Sequence, residues 1–216
     1  MSSTQEKLRL SESAYESILR LIFSGELEPG QSISELKLSR KLEISRTPVH
    51  EAVNQLVYDG LLVQEANHRP YVAEFSSDDV YDIFEMRKLL EGEAAARAAE
   101  RIDRMTLTHL LDQVEAFRDS EFSEDAVNQW VTLDDEFHAT IANSSGSRRL
   151  VSDILRYRRL HRVFNRTHSD ATVLTQAVEE HLAILECLKD RNPEEARSVM
   201  IHHIAEWQRF FIQHLS

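Results

Sequence analysis

The chain has 216 residues, 42% of them hydrophobic, and a formal net charge of −12. This length suits two modest domains. No apolar run approaches the roughly 20 residues of a membrane-spanning helix, so we expect a cytoplasmic protein that does not contact a membrane. The single cysteine excludes an internal disulfide, and the net negative charge by itself argues against binding to a polyanion such as DNA.

The charge is unevenly distributed along the chain. Most of the negative excess follows residue 76, whereas four cations lie within one ten-residue stretch: Lys37, Arg40, Lys41 and Arg46. A local basic surface can therefore exist in the first part of the chain despite the overall charge.

The first 75 residues predict three helices followed by a β-hairpin. A serine stands at each predicted helix start, where its hydroxyl can accept a backbone N–H: Ser11 or Ser13, Ser34 and Ser45. The helices are expected to end near Gly25, Glu43 and Asp59. Residues 61–65 and 71–75 favour strands, joined by a tip at 67–70. We interpret this order as a winged helix-turn-helix.

This region resembles the DNA-binding domain of the GntR family of bacterial regulators over about residues 14–75. The similarity lies in three segments: Pro29-Gly30, SRTPVHEAV at 45–53 and DGL at 59–61. The resemblance implies that the third helix enters the major groove with its N-terminal turn leading. Arg46 is the principal candidate contact, because a guanidinium can fork onto guanine or clamp a phosphate. The candidate DNA-binding residues are Lys37, Ser45, Arg46, Thr47, His50, His68 and Arg69.

Three positions depart from the family pattern. His50 stands where the family usually has a second arginine, and histidine is largely neutral at pH 7, so weaker phosphate binding is expected. Glu43 in the helix-turn-helix and Arg69 at the wing tip each replace a usual glycine. His68 and Arg69 can reach a phosphate or the minor groove.

After a short linker at 76–79, residues 80–216 predict an antiparallel all-helical bundle. This part has one proline and long stretches of 3.6-residue periodicity. Six helices are expected, at about 78–101, 106–119, 124–143, 147–165, 171–190 and 193–214. The predicted protein is therefore mainly α, with a DNA-binding domain at 1–75 and a helical domain at 80–216.

Four polar residues stand on helix faces that are otherwise apolar. Asp134 and His138 lie one turn apart on the third of these helices, His181 on the fifth and His203 on the sixth. Burying such side chains costs free energy unless they find partners. His181 and His203 lie eleven residues before and after Asn192, so an antiparallel hairpin places both imidazoles at the same height.

These residues form the ligand set of a possible Asp-His₃ metal site. Imidazole and carboxylate ligands suit zinc above all, and also nickel or another first-row divalent ion. A lone histidine on an apolar face is more often a satisfied core residue, and the residues by themselves leave both interpretations open. The adjacent His202 falls on a polar stripe and is expected to face solvent.

The helical region is similar to the FCD ligand-binding domain of the FadR-type branch of GntR regulators, and six helices suggest the shorter VanR-like variety. The resemblance implies metal binding at four positions: Asp134, His138, His181 and His203. It also implies that Arg87 reaches the pocket of a small organic acid, whose carboxylate a guanidinium holds well. An ion pair between Arg87 and Glu91, one turn later, is an equal alternative.

The predicted function is that of a homodimeric, non-enzymatic transcriptional regulator. It would bind a double-stranded DNA operator with an affinity controlled by a small organic acid near a divalent metal. One alternative is a metal-responsive regulator without an organic effector. Another is a metalloenzyme whose Asp-His₃ site activates water, although no general base is evident on the same helix faces.

Overall fold

The computed structural model describes residues 3–74, 77–118, 123–168 and 171–214. The chain divides into two units at the boundary between residues 76 and 77. The fold is mainly α-helical, which confirms the predicted class. Within the described ranges, no helix is both long enough and apolar enough to cross a bilayer.

The first unit contains three helices and a two-stranded antiparallel hairpin. Its elements are α1 (Ser3–Phe23), α2 (Glu35–Leu42), α3 (Arg46–Tyr58), β1 (Leu62–Val63) and β2 (Tyr71–Val72). In the hairpin Leu62 pairs with Val72 and Val63 with Tyr71. Buried side chains from helices and hairpin share one core, among them Ile18, Leu19, Val49, Leu56 and Leu62. The predicted winged helix-turn-helix is confirmed.

The start of α1 corrects the sequence prediction. The helix begins at Ser3, so the expected cap at Ser11 or Ser13 is wrong. The hydroxyl of Ser11 instead donates to the carbonyl oxygen of Leu8, at 3.0 Å, within the helix. Residues 3–10 contain no glycine or proline to stop the helix.

Two residues other than glycine adopt the left-handed backbone conformation in the first unit. Glu43 follows α2 with φ 56° and ψ 29°, and its N–H donates to the carbonyl oxygen of Ser39. At the hairpin tip Asn67 has φ 63°, a region that asparagine tolerates better than most residues. The tip therefore does not require a glycine at position 69. Both strands are shorter than the predicted segments.

The second unit is a bundle in which the described residues form six helices. They are α4 (Ser77–Arg101), α5 (Arg104–Arg118), α6 (Glu124–Ser144), α7 (Arg148–His168), α8 (Ala171–Lys189) and α9 (Pro193–His214). Each begins within a few residues of its predicted start, and α4 takes in positions 77–79 of the expected linker. At the turn before α9, the side chain of Asn192 accepts a hydrogen bond from the N–H of Glu195 at 3.2 Å, as an N-cap does.

The helices α4 and α9 form the most extensive pair in this bundle. Gly92 permits their close approach, because a Cβ at that position would lie 2.9 Å from Cγ1 of Ile201. The core is largely apolar, but it encloses a group of buried charged and polar side chains: Arg87, Glu91, Asp134, His138, Arg158, His181 and His203. This group is the candidate functional site of the unit.

Candidate metal centre and nucleic-acid interface

Four side chains from three helices converge inside the helical bundle. Asp134 and His138 come from successive turns of α6, His181 from α8 and His203 from α9. Each offers one ligand atom, and these atoms all lie within 4.8 Å of one another. Each residue is at most 2% exposed. The tertiary structure therefore brings together the four residues that the sequence predicted as metal ligands.

The imidazoles surround one carboxylate oxygen of Asp134. The Nε2 atom of His181 lies 3.3 Å from Asp134 Oδ1, and that of His138 lies 3.6 Å from it. The His203 ring centroid is 4.9 Å from that of His181 and 5.3 Å from that of His138. All three Nε2 atoms are buried without a hydrogen-bond partner among the described residues. Burial of unpaired nitrogens is costly, and a divalent ion accepting their lone pairs fits this donor set.

The carboxylates of two glutamates lie close to the Nδ1 atoms of two of the histidines. The Nδ1 atom of His138 is 2.5 Å from Oε2 of Glu91, and that of His203 is 2.7 Å from Oε2 of Glu180. A carboxylate at Nδ1 favours a proton there and leaves the lone pair on Nε2, the arrangement typical of metal-binding histidines. The sequence suggests Glu91 only as a partner of Arg87, and it gives no sign that Glu180 lies at the site.

Burial keeps two of the imidazoles neutral. Burial, together with the charge of Arg158, lowers the pKa of His138 to about 3. Burial also lowers the pKa of His181 to about 4. Burial alone would raise the pKa of Asp134, but the Arg158 guanidinium and the adjacent His181 ring hold it well below its ordinary value. At neutral pH His138 and His181 thus present uncharged nitrogens beside the Asp134 carboxylate, the protonation states that metal binding requires.

Arg87 lies beside this cluster and forms one of the two contacts predicted for it, the ion pair with Glu91. Its Nε donates to Oε1 of Glu91 at 2.7 Å, so the ion pair one turn apart is present. Its Nη1 is buried and has no acceptor among the described residues. The ion pair with Glu91 therefore leaves donor capacity on the guanidinium.

Arg158 of α7 is a buried member of the site that sequence analysis missed. Its Nη2 lies 2.6 Å from Oδ2 of Asp134 and 3.0 Å from Oδ1 of Asp135. The signal was present in the spacing, because Arg158 follows Val151 and Ile154 on one face of α7. Since α7 carries several arginines, the pattern did not single this one out.

A groove between α8 and α9 reaches the outer edge of the cluster. Its volume is about 250 Å³, and its walls include Gln176, Glu180, Trp207 and Phe210. Glu180 belongs both to this groove and to the layer behind His203. The groove is therefore the described surface that lies next to the buried site.

The candidate DNA-binding residues are all exposed on the first unit. Ser45, Arg46 and Thr47 stand at the start of α3. The side chain of Ser45 makes no capping hydrogen bond to the helix. The remaining candidates lie on α2, in the second turn of α3 and at the hairpin tip, in the order Lys37, His50, His68 and Arg69.

Contacts within the unit hold His50. Its Nδ1 lies 2.7 Å from Oε1 of Glu35, and its Nε2 lies 3.1 Å from Nδ2 of Asn54. A proton on Nδ1 donated to Glu35 leaves Nε2 as the acceptor from Asn54. His50 in this arrangement has no N–H left for a phosphate, which the sequence had not indicated.

The first unit has a helix-turn-helix with an exposed helix start and a hairpin wing, which is the architecture of a DNA-binding domain. It is followed by a helical bundle with a buried cluster of potential metal ligands. Residues 10–72 match the family "Bacterial regulatory proteins, gntR family" and residues 82–206 match the FCD domain. The chain belongs to the GntR family and carries an FCD domain, and it is a transcriptional regulator of that type.

Relatives of similar length support this assignment. The Nta operon transcriptional regulator of Aminobacter aminovorans is 28% identical over 176 residues, which cover 82% of each chain. The HTH-type transcriptional regulator YdhC of Bacillus subtilis is 28% identical over 197 residues, or 88% of this chain and 85% of the relative. The solved structure of E. coli McbR/YncC shares the fold, with a TM-score of 0.73 at 23% identity over the whole of both chains.

The two domains and these relatives indicate a transcriptional regulator. The Asp-His₃ cluster belongs to the FCD domain, since all four residues fall within 82–206.

Proposed function

We propose that this regulator binds operator DNA with an affinity controlled by a small organic acid held beside a divalent metal ion in the FCD domain. One observation carries the proposal: Asp134, His138, His181 and His203 are buried together, and the Nε2 atoms of the three histidines have no hydrogen-bond partner among the residues that the structure describes. Hydrophobic residues would fill the same space at lower cost, so packing alone does not account for the cluster.

The residues at the start of α3 would contact the operator. The N-terminal turn of such a helix lies against base edges and phosphates in the major groove. Arg46 would fork onto a guanine or clamp a phosphate, with Ser45 and Thr47 donating to neighbouring oxygens. His68 and Arg69 at the hairpin tip would reach a phosphate or the minor groove.

The metal would be zinc, or alternatively nickel or another first-row ion, held by Asp134 and the three Nε2 atoms. When bound, the ion would supply open coordination positions for the oxygen atoms of an acid. Glu91 and Glu180 would keep the Nδ1 protons of His138 and His203 in place. Their contribution is to orient the ligands and strengthen them as bases.

Arg87 would bind the carboxylate of the acid. Its unpaired Nη1 supplies a charge-assisted donor in a buried setting, where such hydrogen bonds are strong. The ion pair with Glu91 would hold the guanidinium in position for this contact.

Regulation would require a homodimer. A single winged helix contacts few base pairs, so a two-fold symmetric operator bound by two copies gives useful specificity. The helical unit supports this arrangement, because Met86 and Leu89 on α4 are exposed apolar side chains that a second copy would cover. The acid would favour one arrangement of the two DNA-binding units, with a coupling free energy of about 1–3 kcal/mol.

The test compares two neighbouring histidines. His203→Ala removes a buried ligand, whereas His202→Ala changes an exposed residue whose side chain keeps 66% of its surface in solvent. Native mass spectrometry of the zinc-reconstituted protein should find one ion per chain in the wild type and in His202→Ala, and none in His203→Ala. An operator is then selected from random DNA duplexes. Fluorescence anisotropy measures the affinity of each variant for this operator, with and without each of a panel of small organic acids. We expect the acid response to disappear with His203→Ala.

Arg87→Ala separates the two regulatory alternatives. Retention of the metal with loss of the acid response supports the organic effector, whereas an unchanged response supports a regulator that senses metal alone. Zinc retained by His203→Ala would contradict the metal site. A change in operator affinity of less than about twofold on addition of the acids to the wild type would contradict effector control.

A further inference from the structure

Arg158 bears on the chemistry of the effector, because it is a second buried guanidinium with unused donors. It is 2% exposed, and its Nε and Nη1 atoms have no hydrogen-bond acceptor among the described residues. Arg87 shares this property at Nη1. A charged donor buried without an acceptor forfeits its hydration, so the structure leaves two guanidiniums short of acceptors.

Both guanidiniums adjoin the same carboxylate. The Nε atom of Arg87 is 2.7 Å from Oε1 of Glu91, and Nη1 of Arg158 is 3.9 Å from Oε2 of Glu91. On its other side Arg158 contacts Asp134 through Nη2, at 2.6 Å from Oδ2. The two guanidiniums therefore flank one carboxylate, Glu91, beside the proposed metal ligands.

We infer that the effector is a short-chain dicarboxylate, with one carboxylate bound by Arg87 and the other by Arg158. The inference rests on the proposed function, because it assumes that an acid enters this site. A monocarboxylate would satisfy one guanidinium and leave the other without an acceptor. Selectivity for diacids would thus come from the helix pair α4 and α7, which carry the two arginines.

Calorimetric titration of the full-length, zinc-loaded protein tests this inference. Each dicarboxylate is compared with the monocarboxylate of equal carbon number: malonate with propionate, succinate with butyrate and glutarate with valerate. We expect at least one diacid to bind about tenfold or more tightly than its partner, as a charge-assisted contact implies. The zinc content is measured after each titration, so that loss of the ion by chelation is not counted as binding.

Arg158→Met should remove this preference while monocarboxylate affinity is retained. Arg149→Met, at an exposed position on the same helix, is the control and should keep the preference. Arg158→Lys keeps the positive charge but loses the two-pronged hydrogen bonding of the guanidinium. It replaces the Met variant in the test if that variant does not fold. We expect an intermediate preference for it.

Three results would overturn the inference. Equal binding of mono- and dicarboxylates by the wild type, or equal weakening of both by Arg158→Met, would make Arg158 a structural partner of Asp134 and leave the proposed function intact. Failure of every acid to bind the zinc-loaded wild type would remove the proposed effector control as well.

Discussion

Burial fixes the protonation states of His138 and His181 in the helical unit. The pKa of His138 is about 3 and that of His181 about 4, against an ordinary value of 6.5, and burial is the main cause of both shifts. Water would otherwise stabilise the charged imidazolium. The neutral form leaves each Nε2 lone pair available to a cation.

These shifts make the metal-free protein sensitive to acid. Below about pH 6.5 these imidazoles take up protons in the unfolded chain but stay neutral in the folded protein. The free energy of unfolding is therefore unaffected by them above that pH and decreases as the pH falls towards 4. We expect the free energy of unfolding to fall between pH 6 and 5 by about 1.4 kcal/mol per pH unit for each histidine. Urea unfolding of the chelator-treated protein at several pH values measures this slope.

A neutral replacement checks the origin of the slope. His181→Gln should reduce the slope by the contribution of one histidine, because one fewer proton is bound on unfolding. His202→Ala, on the exposed face of α9, should leave the contribution of His181 in place. The pKa values of Glu91 and Asp134 are also held well below their ordinary range. Their contribution to the free energy of unfolding is therefore lost only at lower pH. The same slope for His181→Gln as for the wild type would contradict the assignment.

The connection between α2 and α3 carries a conformational cost. Glu43 adopts φ 56°, a left-handed backbone that side chains with a Cβ disfavour. The turn is nevertheless held by Ser39, whose carbonyl oxygen accepts from Glu43 and whose hydroxyl donates to the carbonyl oxygen of Ile44 at 2.7 Å. The position of α3 relative to α2 thus depends on a strained residue.

Glu43→Gly should therefore stabilise the first unit, by about 1 kcal/mol, because glycine adopts this conformation without steric cost. Thermal or urea unfolding measures the change. Gly60→Ala is the opposite control, since Gly60 has φ 82° with no atom within 4 Å of an added Cβ, and it should destabilise by a similar amount. A destabilised Glu43→Gly would show that the glutamate side chain makes a contribution larger than the strain.

At the scale of the whole molecule, the proposed dimer links DNA binding to sensing. A chain of 25.0 kDa should appear in native mass spectra at twice that mass. The selected operator should be two-fold symmetric, since the symmetry of the protein is repeated in its half-sites. Asymmetric sites bound by a monomer would contradict this organisation.

The same preparation tests the role of α3. Arg46→Ala should weaken operator binding by about tenfold or more, with the dimer mass unchanged, because one good base contact contributes roughly 1–3 kcal/mol. Arg148→Ala, at an exposed position of the helical unit, is the matched control and should bind as the wild type does. Equal loss in both variants would indicate a general charge effect instead of a specific contact.

The sequence by itself determined the helix faces and the residues that occupy them. Asp134, His138, His181 and His203 could be predicted because helical periodicity fixes which positions face inward, and because the turn at Asn192 fixes the height of two of them. The GntR assignment followed from local motifs. Each of these features depends on residues close together in the chain.

Only the tertiary structure decided which distant groups meet. The contacts that the sequence did not predict each join separate helices: Glu91 with His138, Glu180 with His203, Arg158 with Asp134, and Glu35 with His50. Many charged residues could satisfy such roles on sequence grounds, and several arginines compete on α7 alone. The packing of helices several turns apart selects one among them, because contact energies depend on distances that local periodicity does not set.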